Sequence, residues 1–148
     1  MKKRLLSIAL ALLAIPFALP ATVDDALSFA YEAATPYVEQ GFTFREDAWG
    51  GDLGVGEQKA VAAQLFKGND YWFCLGTDAD NATLSVHIYD SKGKLVESKN
   101  WQKGRFAGAL VSPKQTGTYY AIVEVKQSPQ ERTHWALVYG YRYRNDIP

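Results

Sequence analysis

Cys74, His87, His134 and the acidic loop Asp78-Ala79-Asp80-Asn81 are the residues of this chain best suited to chemistry, and their neighbours set how far each can go. Cys74 lies inside the apolar run Tyr71-Trp72-Phe73-Cys74-Leu75. A reactive thiolate needs partial exposure and an electropositive setting, so this position predicts an inert, buried thiol. His87 and His134 lack the His-x-x-x-His or Cys-x-x-Cys spacing that gathers zinc; solvated or hydrogen-bonded histidines are the expectation and a shared zinc ion the alternative. Glu46 and Asp47 are adjacent, and adjacent strand residues point to opposite faces, so without a bulge they cannot act together on one substrate. There is no Gly-x-Ser-x-Gly elbow, and Gly54-Val55-Gly56-Glu57-Gln58-Lys59 lacks the Gly-Lys-Ser/Thr ending of a phosphate loop. A non-enzymatic role is the expectation.

Two binding features remain. Asp78, Asp80 and Asn81 offer the oxygen ligands that calcium prefers, without the glycine and distal glutamate of a helix-loop-helix site. The same residues are ordinary turn formers, so a plain turn is the expectation here and calcium the alternative, and no cofactor is otherwise expected. The second feature is aromatic: four tryptophans, Trp49, Trp72, Trp101 and Trp135, accompany nine tyrosines. Tyr89, Trp101 and Tyr120 are predicted to form a surface patch for a protein or polysaccharide, since exposed rings stack and anchor well. The closing Tyr139-Gly140-Tyr141-Arg142-Tyr143-Arg144 reads as a last strand, with an anionic partner as the alternative use of its alternating rings and guanidinium groups.

These residues must be positioned by strands. After Gly41 the pattern has period two, and runs rich in β-branched and aromatic residues fall near Lys59 to Phe66, Asp70 to Gly76, Thr83 to Tyr89, Leu95 to Lys99, Arg105 to Val111, Gly117 to Lys126, and Thr133 to Arg142. Phe42, Phe44 and Ala48 add an earlier alternation, and the glycines from Gly50 to Gly56 read as a connection. Leu84, Val86 and Ile88 are predicted core, as are Tyr119, Ala121, Val123 and Val125, and Trp135, Leu137 and Tyr139. Seven to eight strands at this spacing predict a mainly β fold, an antiparallel β-sandwich or jelly roll over residues 42–148.

Ahead of it, residues 22–41 predict one N-terminal helix, because Ala26, Phe29, Ala30, Ala33 and Tyr37 share a face. Thr22 and Asp25 suggest a capping box, and Pro36 is expected to end or kink the helix near Ala34. The helix either packs on the sheet or serves a partner.

Residues 1–21 form the three-part pattern of a signal peptide: Lys2, Lys3 and Arg4, an apolar run from Leu5 to Leu19, then Pro20 and Ala21. The run is shorter than the roughly 20 residues needed to span a bilayer, and no later run approaches that length. Cleavage leaves 13 Lys and Arg against 16 Asp and Glu, a net charge of −3. An acidic chain without a basic patch argues against nucleic acid, and a lone cysteine excludes an internal disulfide. A periplasmic or secreted product is expected.

Three stretches together resemble the bacterial pre-peptidase C-terminal domain: Gly68-Asn69-Asp70-Tyr71-Trp72-Phe73, then Leu84-Ser85-Val86-His87-Ile88-Tyr89-Asp90 with Gly93, and Thr116-Gly117-Thr118-Tyr119-Tyr120-Ala121-Ile122-Val123. The resemblance covers about Lys59 to Tyr141. It implies a β-sandwich that accompanies secreted enzymes, often peptidases, and assists secretion, localisation or binding to polymeric substrates. These residues depart from that setting in showing no peptidase motif and in placing a predicted helix first. The expectation is an exported, non-catalytic β-sandwich module that binds a protein or polysaccharide or assists a secreted enzyme. A hydrolase with an unrecognised site and a structural envelope component with a pairing-competent strand edge are the alternatives.

Overall fold

The computed structural model describes residues 24–144. The signal segment, the Thr22 cap and the last four residues lie outside the described residues. A helix, α1, covers residues 24–39. Eight strands follow: β1 Thr43–Leu53, β2 Gln58–Leu65, β3 Asn69–Gly76, β4 Thr83–Tyr89, β5 Lys99–Lys103, β6 Phe106–Val111, β7 Gly117–Gln127 and β8 Thr133–Tyr143. They build one five-stranded sheet, ordered β1-β8-β3-β6-β5, and one three-stranded sheet, ordered β2-β7-β4. Every neighbouring pair of these strands is antiparallel.

The two sheets face each other through the alternating stripes. Leu84, Val86 and Ile88 of β4, Ala121, Val123 and Val125 of β7, and Phe73, Leu75, Trp135 and Leu137 of the larger sheet are all buried in one core. Each large side chain so enclosed contributes about 1.5–3 kcal/mol relative to exposure, so the stripes fix which sheet face turns inward.

The larger sheet is apolar on both faces, and this is why β3 reads as the unbroken run Tyr71 to Leu75. Its outer residues Trp72, Cys74, Ala136 and Val138 pack under α1, against Ala26, Ala30, Ala33 and Ala34. The alanines let the helix lie close. Gly76 completes the fit, since a Cβ there would meet the backbone of Phe29 and Ala30. Tyr37 stacks on Trp72 with ring centroids 4.0 Å apart. The helix therefore docks on the sheet.

Three boundaries differ from the sequence expectation. Pro36 neither ends nor kinks the helix near Ala34, and α1 continues to residue 39. Glu32 and Pro36 are both exposed, so the carbonyl that loses its donor lies on the solvent side and the break costs little. Gly41, at φ 94°, supplies the stop, and the Phe42 N–H returns to the Tyr37 carbonyl at 3.0 Å. Gly50 and Gly51 belong to β1 rather than to a connection, and a Cβ on Gly51 would stand 3.6 Å from the Trp135 ring. The fifth strand is Lys99–Lys103, not Leu95 to Lys99. Leu95 and Val96 instead run along the free edge of β4, where the Val96 N–H donates to the Ile88 carbonyl at 3.0 Å.

Candidate functional site

The three predicted patch residues separate into two groups. Tyr89 and Tyr120 are direct cross-strand partners on β4 and β7, on the outer face of the three-stranded sheet. Trp101 is not with them, because β5 joins the other sheet. There Trp101 lies over Gly108, packs beneath α1, and donates its indole N–H to the Tyr37 hydroxyl at 2.8 Å. Its aromatic surface serves the helix and not the open face.

Around Tyr89 and Tyr120 the outer rows run Gln58, Glu124 and Ser85, then Ala60, Ile122 and His87, then Ala62, Tyr120 and Tyr89. No described helix or strand packs over the Tyr89 and Tyr120 end of this face, in contrast to the face under α1, whereas Ser85 in the first row is buried and His87 meets Glu97. A shallow depression of about 370 Å³ is lined by Tyr89, Tyr120, Ile122, Gln58, Asp90 and Ser91, with Gly93. The turn beside it is rigid: Asp90 Oδ1 accepts the backbone N–H groups of Lys92 and Lys94, each at 2.9 Å, and Gly93 adopts φ 81°. Tyr71, Tyr119 and Tyr37 each use their hydroxyl in an internal hydrogen bond. Among the described residues, the hydroxyls of Tyr89 and Tyr120 make none.

The histidines lie in different sheets and do not share a site. His87 Nδ1 is 2.6 Å from Glu97 Oε1, and Asn100 Nδ2 donates to Glu97 Oε2 and to the Val86 carbonyl, each at 2.7 Å. The Glu97 side chain is 6% exposed, so this cluster pins the crossover to the edge of β4. No hydroxyl or thiol is hydrogen-bonded to either imidazole among the described residues. Burial pushes the Cys74 thiol far above its ordinary value, which keeps it protonated and unreactive.

Asp80 forms an ion pair with Arg105, whose guanidinium also lies 4.3 Å from the Phe29 ring centre. Asn81 takes the left-handed conformation at φ 63°, and the inner oxygen of Asp78 is buried. Asp80 thus ties the loop to Arg105, while the buried Asp78 Oδ1 has no hydrogen-bond partner among the described residues. Among the described residues no three His, Cys, Asp or Glu side chains gather closely enough to hold a metal ion. No helix among them is long and apolar enough to cross a membrane.

A larger cleft of about 560 Å³ opens at one end of the sandwich between the 90–97 and 112–119 loops. Its two carboxylates are engaged, Asp90 with its own turn and Glu97 with His87 and Asn100.

No family model and no curated protein matches this chain. Among solved structures it is similar to PliG of Aeromonas hydrophila, a periplasmic inhibitor of g-type lysozyme, at 13% identity over 70% of this chain and 90% of that one, with a TM-score of 0.47. It is similar to the Yersinia pseudotuberculosis-derived mitogen at 11% identity over 69% and 88%, TM-score 0.48. The pre-peptidase C-terminal domain of a Bacillus anthracis collagenase is also among them, at 14% identity over 63% and 87%, TM-score 0.44. Likeness at this level is one of fold alone.

Proposed function

We propose that this chain is an exported, non-catalytic binding module that holds a polysaccharide across Tyr89 and Tyr120. The observation that carries this reading is the pairing of two tyrosine rings with unengaged hydroxyls on the broad face over which no described helix packs. A sugar ring offers an apolar face for stacking and a rim of hydroxyls. The depression supplies both halves of that match, Tyr89, Tyr120 and Ile122 as platform and Gln58, Asp90 and Ser91 at the margin. Its shallowness suits a polymer chain that enters and leaves from the side. Tyr120, 36% exposed, can be removed without opening the core.

The test is native affinity electrophoresis through gels cast with neutral and acidic polysaccharides, comparing the wild type with Tyr89→Ala and Tyr120→Ala. Wild-type mobility falls in at least one gel, and each variant loses most of that retardation, by about tenfold in apparent affinity for roughly 1.4 kcal/mol of stacking. Retardation that survives both substitutions would place the binding elsewhere.

A further inference from the structure

Two sheets present four edge strands, and three of them carry a device against pairing with another chain. β1 breaks register between Phe44 and Ala48, where Arg45, Glu46 and Asp47 are all exposed. β5 is five residues long and bears Lys99 and Lys103. β4 is covered by Leu95 and Val96, and Asn100 caps its Val86 carbonyl.

β2 has neither the break, nor the shortness, nor the cover, and of the charges only one. It pairs with β7 in unbroken register along its whole length, contains no proline or glycine, and bears a single charge, Lys59. Among the described residues its other edge has no strand partner. Such an edge offers a row of backbone donors and acceptors to a second strand.

The sequence of β2, Gln58-Lys59-Ala60-Val61-Ala62-Ala63-Gln64-Leu65, also complements itself. Turned about a two-fold axis through Val61, it sets Gln58 opposite Gln64, Ala60 opposite Ala62, Lys59 opposite Ala63, and Val61 opposite its own copy. Opposed residues of antiparallel strands share a face, and this register keeps the exposed set Gln58, Ala60, Ala62 and Gln64 on one side. No like charges oppose. Outside the strand, Val55 and Phe66 are large apolar residues left 53% and 52% exposed, one at each end of β2. The same axis brings Phe66 of one copy to the end where Val55 of the other lies.

We infer that β2 pairs antiparallel with β2 of a second copy about Val61, joining two three-stranded sheets into one six-stranded sheet with both outer faces on the same side. The occupant is this chain itself, because its own edge is the complement and its own exposed Val55 and Phe66 fall at the ends of the contact.

Sedimentation equilibrium of the purified protein tests this. The wild type is dimeric at about 100 μM, and Ala60→Glu with Ala62→Glu, which sets carboxylates opposite each other twice, weakens the dimer by at least about tenfold. Ala60→Glu with Ala62→Lys sets the new carboxylate of each copy opposite the new ammonium of the other and restores it. Phe66→Asp weakens it without touching the strand. Circular dichroism and the melting midpoint of each variant show that the fold is kept, since all three positions are exposed. A monomeric wild type, a dimer indifferent to the double glutamate, or a Glu/Lys variant that dissociates like the double glutamate would each overturn the inference.

Discussion

Gly76 and Ala30 meet backbone to backbone: a Cβ on Gly76 would collide with the Ala30 nitrogen and stand 2.6 Å from the Phe29 carbonyl carbon. Nothing there is a flexible side chain that can turn away. Gly76→Ala must therefore lift α1 from the sheet, and a loss of about 1–3 kcal/mol is expected from overpacking. Urea denaturation reads it as a lower midpoint at unchanged slope. Gly108→Ala meets the Trp101 indole, so a side chain rather than backbone must give, at the expense of its bond to Tyr37, and a smaller loss is expected. A Gly76→Ala protein with the wild-type midpoint would mean that the helix is not seated where β3 ends.

Tyr37→Phe isolates a second contact of the helix. It keeps the stack on Trp72 and deletes the acceptor of the Trp101 N–H. A loss of about 0.5–1.5 kcal/mol is expected, together with a change in tryptophan fluorescence. Trp101→Phe in the same background should cost less than it does in the wild type, because the bond it would remove is already gone, and a double-mutant cycle measures that coupling.

Acid should weaken the junction of β1 with the loop before β8. Arg132 hydrogen-bonds to Asp52 at 2.6 Å and to Glu57 at 2.6 Å. The guanidinium bond holds the Asp52 carboxyl below its ordinary range, and the Gly54 N–H, followed by Arg132, does the same for Glu57. A carboxylate whose folded-state value is lowered contributes stability above its unfolded value and loses it as pH falls through the folded one. Melting midpoints of Arg132→Gln should accordingly lie below the wild type at neutral pH and converge with it in strong acid. Salt should narrow the gap, because these groups are exposed. A gap that persists undiminished in strong acid would contradict the assignment.

Calcium at millimolar concentration is expected to leave the melting midpoint of the wild type unchanged. Asp80 already holds Arg105 through Oδ1, so a cation would compete with the guanidinium for that carboxylate. Arg105→Gln frees the carboxylate. A shift in the wild type that a chelator reverses would restore the Asp78, Asp80 and Asn81 loop as a calcium site.

Much of this fold was legible from period alone. Leu84, Val86 and Ile88, and Tyr119, Ala121, Val123 and Val125, alternate because one face meets the core and the other water, and all seven are buried. Alternation failed where the surroundings differ. Leu95 and Val96 carry strand-like side chains but act as an edge cover for β4, a role set by the other sheet. Gly50 and Gly51 look like a linker until Trp135 is seen beside the second. The open tyrosine pair followed from strand phase, whereas Trp101 shares that phase locally and is claimed by Tyr37, some 64 residues earlier in the chain. One usable signal lay in the unbroken Tyr71 to Leu75 run, which marks a sheet enclosed on both sides and asks what the second cover is.

The two broad faces of the sandwich are unequal, and this gives the molecule a back and a front. With α1 across one sheet and sheets spaced about 10 Å apart, the tyrosines stand roughly 20 Å from the helix axis, on the opposite surface. Immobilisation through the helical side would therefore leave the tyrosines pointing away from the support. Anchoring through β7 would hide them.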